Sequence, residues 1–177
     1  MSLPSKRSKP AGAIDMAYAV IRVRGTEQAG SNVWTTLEQM RLHKINHMVF
    51  LPQDASTQGM LQMVKDYVTW GEVSAEMVAK VLLKRGETPG GASPINDDFI
   101  KKNSEKYKSI ISFAKAIASN EARLSDVKNL QPVIRLHPPL GGYESMKRSF
   151  KMRGSLGYRG AAVEKLLERM IAAVPGE

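Results

Sequence analysis

The sequence predicts an α+β chain, a β-α-β-α-β unit followed by a mostly helical extension that carries an extended basic arm. Three observations predict this. Within about the first seventy residues, apolar positions alternate with a period of two, repeat at helical spacing, and then alternate again. The connections between these segments are short, as in a single packed unit. Beyond residue 73 helical periodicity dominates, until residues 141–160 interrupt it with glycine, lysine and arginine.

The elements follow in order. In "AYAVIRVRG" (17–25) Ala19, Ile21 and Val23 fall on one side of a strand; Tyr18, Val20, Arg22 and Arg24 make the other side partly basic, and Gly25 closes it. "SNVWTTLEQMRL" predicts a helix with Ser31 or Asn32 as N-cap and Val33, Leu37 and Met40 at helical spacing. "INHMVFLP" is a second strand, stopped by Pro52. "DASTQGMLQMVKD" restarts a helix, with Asp54 as cap and Met60, Leu61 and Val64 turned inward, and "YVTWGEV" is a third short strand. This order favours an open sheet with two helices on one face, leaving the other face uncovered unless another part of the chain docks there.

"SAEMVAKVLLKRG" is a further amphipathic helix, started by Ser74 and stopped by Gly86, and "ETPGGASP" is a turn-rich linker. "DDFIKKNSEKYKSIISFAKAIASNEA" carries one or two helices, with Ile110, Ile111, Phe113, Ala114 and Ile117 as an apolar stripe. Prolines on both sides make "PVIRLHPP" extended. The chain closes with a helix in "AAVEKLLERMIAA", where Val163, Leu166, Leu167, Met170 and Ile171 share a face. The second half has too few strands for a sheet of its own, so it is expected to pack as helices and arms around the first unit. Methionines such as Met40, Met48, Met60 and Met63, with Trp34 and Trp70, are expected to fill the core or its edge.

Composition excludes several classes of chemistry. The absence of cysteine removes disulfides, thiolate metal sites and cysteine nucleophiles, and fits a cytosolic protein. No apolar run approaches the length that crosses a bilayer, and "MSLPSKRSKPAGAIDM" is basic but lacks the apolar centre of a secretory signal. The histidines, His43, His47 and His137, have no metal-ligand spacing. His47 reads as a strand residue with a satisfied hydrogen bond; His137 reads equally as a structural cap or a phosphate contact. There is no nucleophile elbow and no phosphate loop, and the glycines of "RGSLGYRG" lack the strand-turn-helix setting of a dinucleotide site. A non-enzymatic role, with no cofactor, metal, membrane or small-molecule substrate, follows.

The net charge of +9 is concentrated. Residues 1–25 carry Lys6, Arg7, Lys9, Arg22 and Arg24 against Asp15, and residues 141–159 carry Lys147, Arg148, Lys151, Arg153 and Arg159 against Glu144, a net +4 in each. The remaining chain is close to balanced. Two basic segments of low core-forming content point to a polyanion; solvated tails are the alternative. In "GGYESMKRSFKMRGSLGYRG" glycines permit close backbone approach, the cations supply phosphate contacts, and Phe150 and Tyr158 offer surfaces for stacking. No helix is basic along one face like a major-groove reader, and "RVRGTEQAG" lacks the aromatic pattern of a sheet that stacks RNA bases. Basic arms on a compact core suit an irregular folded RNA.

The order "VRG", "TLEQMRLHKINHMVFLP", "GMLQMVKDYVTWGE" resembles the L-thirty family of large-subunit ribosomal proteins, called L-seven in eukaryotes. "PVIRLHPPLGGYESMKRSFKMRGSLGYRG" and the closing "LLERM" resemble its long archaeal form, so the likeness spans about residues 16–171. It implies a core over 16–72, ferredoxin-like in character, with a three-stranded antiparallel sheet and two helices on one face. A basic tail over 1–15 precedes it, and an extension over 73–177 packs on it. It further implies a structural constituent of the large subunit in the cytoplasm, binding 23S rRNA near 5S rRNA beside neighbouring ribosomal proteins and supporting assembly and translation. The alternative is a non-ribosomal RNA-binding module acting in processing or regulation. The family's basic and glycine positions correspond to Arg24, Gly25, His137, Gly141, Gly142, Lys147, Lys151 and Gly154. Related sequences often carry a glycine pair where this chain has Arg153-Gly154, so a different backbone path is expected there.

Overall fold

The computed structural model describes residues 16–27, 29–91 and 95–172. The first unit forms as the sequence predicts: β1 (Tyr18–Arg22), α1 (Ser31–Gln39), β2 (His47–Leu51), α2 (Ala55–Val64) and β3 (Val68–Glu72). β1 lies between β2 and β3 and is antiparallel to both, with Val20 opposite Val49 on one side and Trp70 on the other. The first turn of α1 differs slightly from expectation. The helix begins at Ser31 with Gly30 in the cap position, and neither Ser31 nor Asn32 caps it.

The extension contributes α3 (Ala75–Arg85), α4 (Asp97–Asn103), α5 (Ile110–Ala118), β4 (Ile134–Arg135), β5 (Ser145–Ser149), β6 (Gly154–Tyr158) and α6 (Val163–Ile171). The sheet therefore has six strands rather than three, in the order β4-β2-β1-β3-β6-β5. β4 adds antiparallel to β2, Met48 opposite Ile134. β6 adds parallel to β3, Thr69 opposite Gly157. β5 lies outside β6 with an irregular register between Ser145 and Ser149.

The period of two in β1 sorts its residues between two cores. Tyr18 and Val20 join Val49, Val68 and Trp70 beneath α1 and α2, where Leu37, Leu61 and Val64 close the layer. Ala19, Ile21 and Met48 face the other way, into a second core with Val78 and Leu82 of α3, Ile100 of α4, Phe113 and Ile117 of α5, and Leu167 and Met170 of α6. The extension thus covers the sheet face that the first unit leaves bare, giving three layers. Both faces of β1 are buried, so the partly basic side expected of it does not reach solvent. Burying each Ile, Leu or Phe of this second core contributes about 1.5–3 kcal/mol relative to exposure.

Local chemistry supports these elements. The Ser74 hydroxyl accepts from Met77 N at 3.3 Å to start α3, while Ser74 N donates to the Glu164 carboxylate at 2.7 Å, tying the start of α3 to α6. A capping box between Ser109 and Ser112 begins α5. Three residues expected inward point outward: Trp34 is 54% exposed, Met63 51% and Ile111 62%. Each sits beside a buried helical neighbour (Val33 excepted, which is half-buried), about 100° around the helix from it, and so falls off the buried arc.

Candidate nucleic-acid interface

The basic arm has a fastened root. After β4, Leu136 N donates to Asn46 O at 3.0 Å, and His137 is half-buried. A turn follows in which Gly142 N donates to Pro139 O at 2.8 Å, with Gly141 and Gly142 at φ +79 and +74, a conformation that disfavours any side chain. Arg169 of α6 holds this turn: its Nε donates to Leu140 O at 2.8 Å and its Nη2 to Gly142 O, while Leu140 N donates back to Arg169 O. The Tyr143 hydroxyl then donates to Asn46 Oδ1 at 2.6 Å. Burial pushes the Tyr143 phenol well above its ordinary value, with nearby Arg159 opposing.

From this root the chain runs outward. All five residues of β5 are exposed, as are Lys151, Met152 and Arg153. Among the described residues, the side chains of Lys147, Arg148, Lys151 and Arg153 form no hydrogen bond or ion pair with the protein. Arg153 turns the chain back from a left-handed conformation, φ 56 and ψ 39, where a glycine would be relaxed. The next residue, Gly154, lies so close to the Arg148 backbone that a Cβ would collide with it.

The return path is built differently. Thr69 Oγ1 donates to Gly157 O at 2.9 Å and accepts from Arg159 Nε at 2.8 Å. Arg159 Nη2 donates to Ser155 O at 3.0 Å, and the guanidinium lies 4.8 Å from the centre of the Phe150 ring. Burial pushes this guanidinium below its ordinary value, against the favourable fields of Glu144 and Tyr143. The Tyr158 hydroxyl donates to Glu72 Oε1 at 2.7 Å, and that bond first, then burial, pushes its phenol up to about 12. Its ring stays 46% exposed, 6.3 Å from Trp70. Arg159 and Phe150 therefore brace the arm, whereas Tyr158 keeps an open face.

The first basic segment divides in the same way. Lys6, Arg7 and Lys9 lie outside the described residues. Arg22, expected as a phosphate contact, is placed within the scaffold. It is 6% exposed, and four of its five N–H groups are used, on Leu42 O, His43 O, Arg24 O and Thr26 Oγ1 at 2.7–2.9 Å. Those bonds pin the α1–β2 connection against the end of β1. Arg24 is half-buried, stacked 5.4 Å over Tyr67, and Gly25 is exposed beside it. The "VRG" turn and the arm meet: Arg24, Gly25 and Ile45 line one cleft of about 520 Å³ with Tyr143 and Met146. Lys151 and Tyr158 line a second, of about 620 Å³, with Tyr18, Gln58 and Gln62.

His47 is a strand residue as expected, opposite Arg135 on β4, but its buried Nδ1 lacks the expected hydrogen-bond partner among the described residues. Burial, then Arg135, His43, Lys44 and Arg22, lowers its pKa and keeps the ring neutral. Asn46 and Arg169, which position the arm, carry no sequence signal of that role; Asn46 takes φ +65 in a connection and Arg169 sits on the polar side of α6. Among the described residues no group of acidic or histidine side chains is arranged to hold a metal ion, and no helix is long and apolar enough to cross a membrane.

Comparison with known proteins gives a consistent set of likenesses. A family profile described as ribosomal protein L30p/L7e matches residues 18–68. The chain is 44% identical over 153 residues to the large ribosomal subunit protein uL30 of the archaeon Methanoregula boonei, a match covering 86% of this chain and 99% of that protein. The uL30 proteins of Methanobrevibacter smithii and Methanopyrus kandleri are each 44% identical, over 154 and 151 residues, spanning 87% and 84% of this chain and 99% and 100% of theirs.

Proposed function

This chain belongs to the ribosomal protein L30p/L7e family, and from that premise we propose that it is a structural, non-catalytic constituent of the large ribosomal subunit that binds 23S rRNA near 5S rRNA. One observation carries the contact: four cations, Lys147, Arg148, Lys151 and Arg153, stand exposed without partners among the described residues, on an arm whose root and return are both fastened. Exposed cations held on an ordered support favour phosphates that converge from a folded RNA. Arg24, Gly25 and Tyr158 extend this surface through the two clefts beside the arm, and His137, Gly141, Gly142 and Gly154 act by shaping its path. In this reading residues 16–72 are the family core, 73–177 the extension that completes the sheet, and 1–15 a basic tail that adds phosphate contacts. The protein then works in the cytoplasm on the ribosome, beside other ribosomal proteins, in assembly and translation.

Replacing Lys147, Arg148, Lys151 and Arg153 together by Ala tests this. Affinity for a large-subunit rRNA transcript should fall, and the slope of log K against log salt should flatten by about 3–4, close to 0.9 for each duplex phosphate that is no longer neutralised. An unchanged slope refutes the arm as an RNA-binding element. Loss of the wild-type chain from large subunits on a high-salt wash, with retention on some other RNA, refutes the ribosomal assignment.

A further inference from the structure

We infer a second RNA-binding surface: a lysine-walled groove formed by the end of α4, the α4–α5 connection and the segment before β4, which takes the sugar-phosphate backbone of an RNA duplex. The inference rests on the proposed function only in taking the ligand to be RNA. The groove has about 930 Å³ of open volume and is walled by Lys101, Lys102, Lys106, Lys108 and Lys128. It shares no residue with the arm, the "VRG" turn or their clefts.

The lysines are brought together by a built frame. Asn103, the last residue of α4, donates from Nδ2 to Phe99 O at 2.9 Å and accepts at its backbone oxygen from Lys128 N at 3.2 Å. Asn129 Nδ2 donates to Asn103 Oδ1 at 3.3 Å. Asp97 accepts from Ile110 N at 2.8 Å, and Ser104 Oγ accepts from Tyr107 N at 3.2 Å, so the intervening connection is held at both ends. Lys128, twenty residues beyond Lys108, thereby joins the same wall.

The wall keeps a net positive charge, five lysines against Glu105 and Asp126. Lys101 is 3.8 Å from Asp98, an exposed pair one helical turn apart, and among the described residues Lys102, Lys106, Lys108 and Lys128 form no ion pair. Of the two acids in the wall, Glu105 and Asp126, the second already accepts from Arg123 N at 2.8 Å. Like charges gathered in a concavity repel one another and concentrate anions.

The residue types select among polyanions. Lysine acts as a point charge and does not make the bidentate contacts with which arginine reads guanine or grips single phosphates. The wall's one aromatic, Tyr107, packs its ring 5.1 Å from Phe113 and is half-buried, so it offers no platform for unpaired bases. Point charges without stacking suit duplex backbone recognised by shape and phosphate.

The test uses the full chain carrying Lys102→Gln, Lys106→Gln, Lys108→Gln and Lys128→Gln, beside the wild type and the arm variant. The probe is a protein-free large-subunit rRNA transcript, with an unrelated RNA duplex as competitor. Because all four side chains are exposed, the melting temperature should not change. The salt slope should flatten by about 3–4, so the affinity advantage of the wild type should shrink about 100-fold between 50 and 200 mM salt. Hydroxyl-radical footprints should lose protection on a backbone stretch that the arm variant still protects, and the duplex should compete more weakly against the variant. Wild-type affinity and slope in the groove variant, with loss only in the arm variant, overturn the groove and leave the arm reading standing. The reverse pattern upholds the groove and overturns the arm. A groove variant that binds rRNA normally yet drops out of large subunits also overturns it, since it assigns the wall to an acidic protein neighbour.

Discussion

The outgoing half of the arm, residues 145–153, and the returning half, 154–159, are adjacent in sequence, yet the four cations of the first and the single cation of the second do opposite things. Lys147, Arg148, Lys151 and Arg153 are exposed and have no partner among the described residues, whereas Arg159 spends its guanidinium on Thr69, Ser155 and the Phe150 ring. The difference lies in what each half pairs with. β6 adds to β3 and inherits a neighbour with a hydroxyl and carbonyls to offer; β5 is the outermost strand among the described residues, paired with β6, and all five of its residues are exposed. Composition counts all these cations alike, but register against the sheet decides which of them remain available.

This contrast predicts that mutations in the returning half cost stability and those in the outgoing half cost binding. The largest effect is expected where the return meets the core. A Cβ at Gly71 would collide with the Gly160 backbone, so Gly71→Ala should destabilise by about 3 kcal/mol, roughly 6–12 °C in thermal unfolding. Arg159→Ala, which removes two hydrogen bonds and the ring interaction, should cost about 2 kcal/mol, while the fourfold arm variant melts like wild type. Equal melting losses in both would erase the distinction. Tyr143→Phe deletes the bond to Asn46 and should cost about 1 kcal/mol, with faster amide exchange at Leu136 and Leu140 reporting a loosened root.

Two smaller effects sharpen the comparison. The Tyr158 phenol ionises near 12 in the folded chain and near 10.0 when unconstrained, so its bond to Glu72 supports the fold fully below about pH 10 and is lost as pH rises through 12. In Glu72→Gln the Tyr158 ring resonances should titrate closer to 10, and a titration still near 12 would assign the shift to burial instead. Arg153→Gly should relax the left-handed turn and raise stability by less than about 1 kcal/mol, while flattening the rRNA salt slope by about one phosphate's worth.

The first unit was legible because its signals are local. Alternation in β1 and the 3.6-residue repeats of α1 and α2 survive into the structure with nearly the predicted bounds. The helix at 163–171 was equally legible: Val163, Leu166, Leu167, Met170 and Ile171 are all buried. What escaped depends on partners distant in sequence. "SMKRS" and "GSLGY" have no strand alternation; "GSLGY" becomes a strand beside Thr69 and Trp70 on the β3 edge, and "SMKRS" becomes one beside β6 in turn. Arg22 looked exposed because carbonyls from residues 42 and 43 that surround it come from another connection. The lysine groove escaped because net charge is a sum: acids elsewhere cancel residues 101–128 on paper while leaving them segregated in space. At Arg153, where a different path is expected, the arginine makes a left-handed turn at a cost that glycine avoids.

The parallel seam between β3 and β6 also sets an order of events during synthesis. Glu72 and Tyr158, bonded across it, are 86 residues apart, so at ribosomal rates of 5–20 residues per second the β3 edge waits roughly 4–17 s for its partner. During that interval the nascent chain exposes a strand edge whose hydrogen-bonding groups are unmet, the kind of edge that recruits other chains. A premature stop anywhere before residue 154 leaves that edge open permanently. Truncated products should therefore self-associate, and the C-terminal third of the chain acts as the sheet's own edge protection.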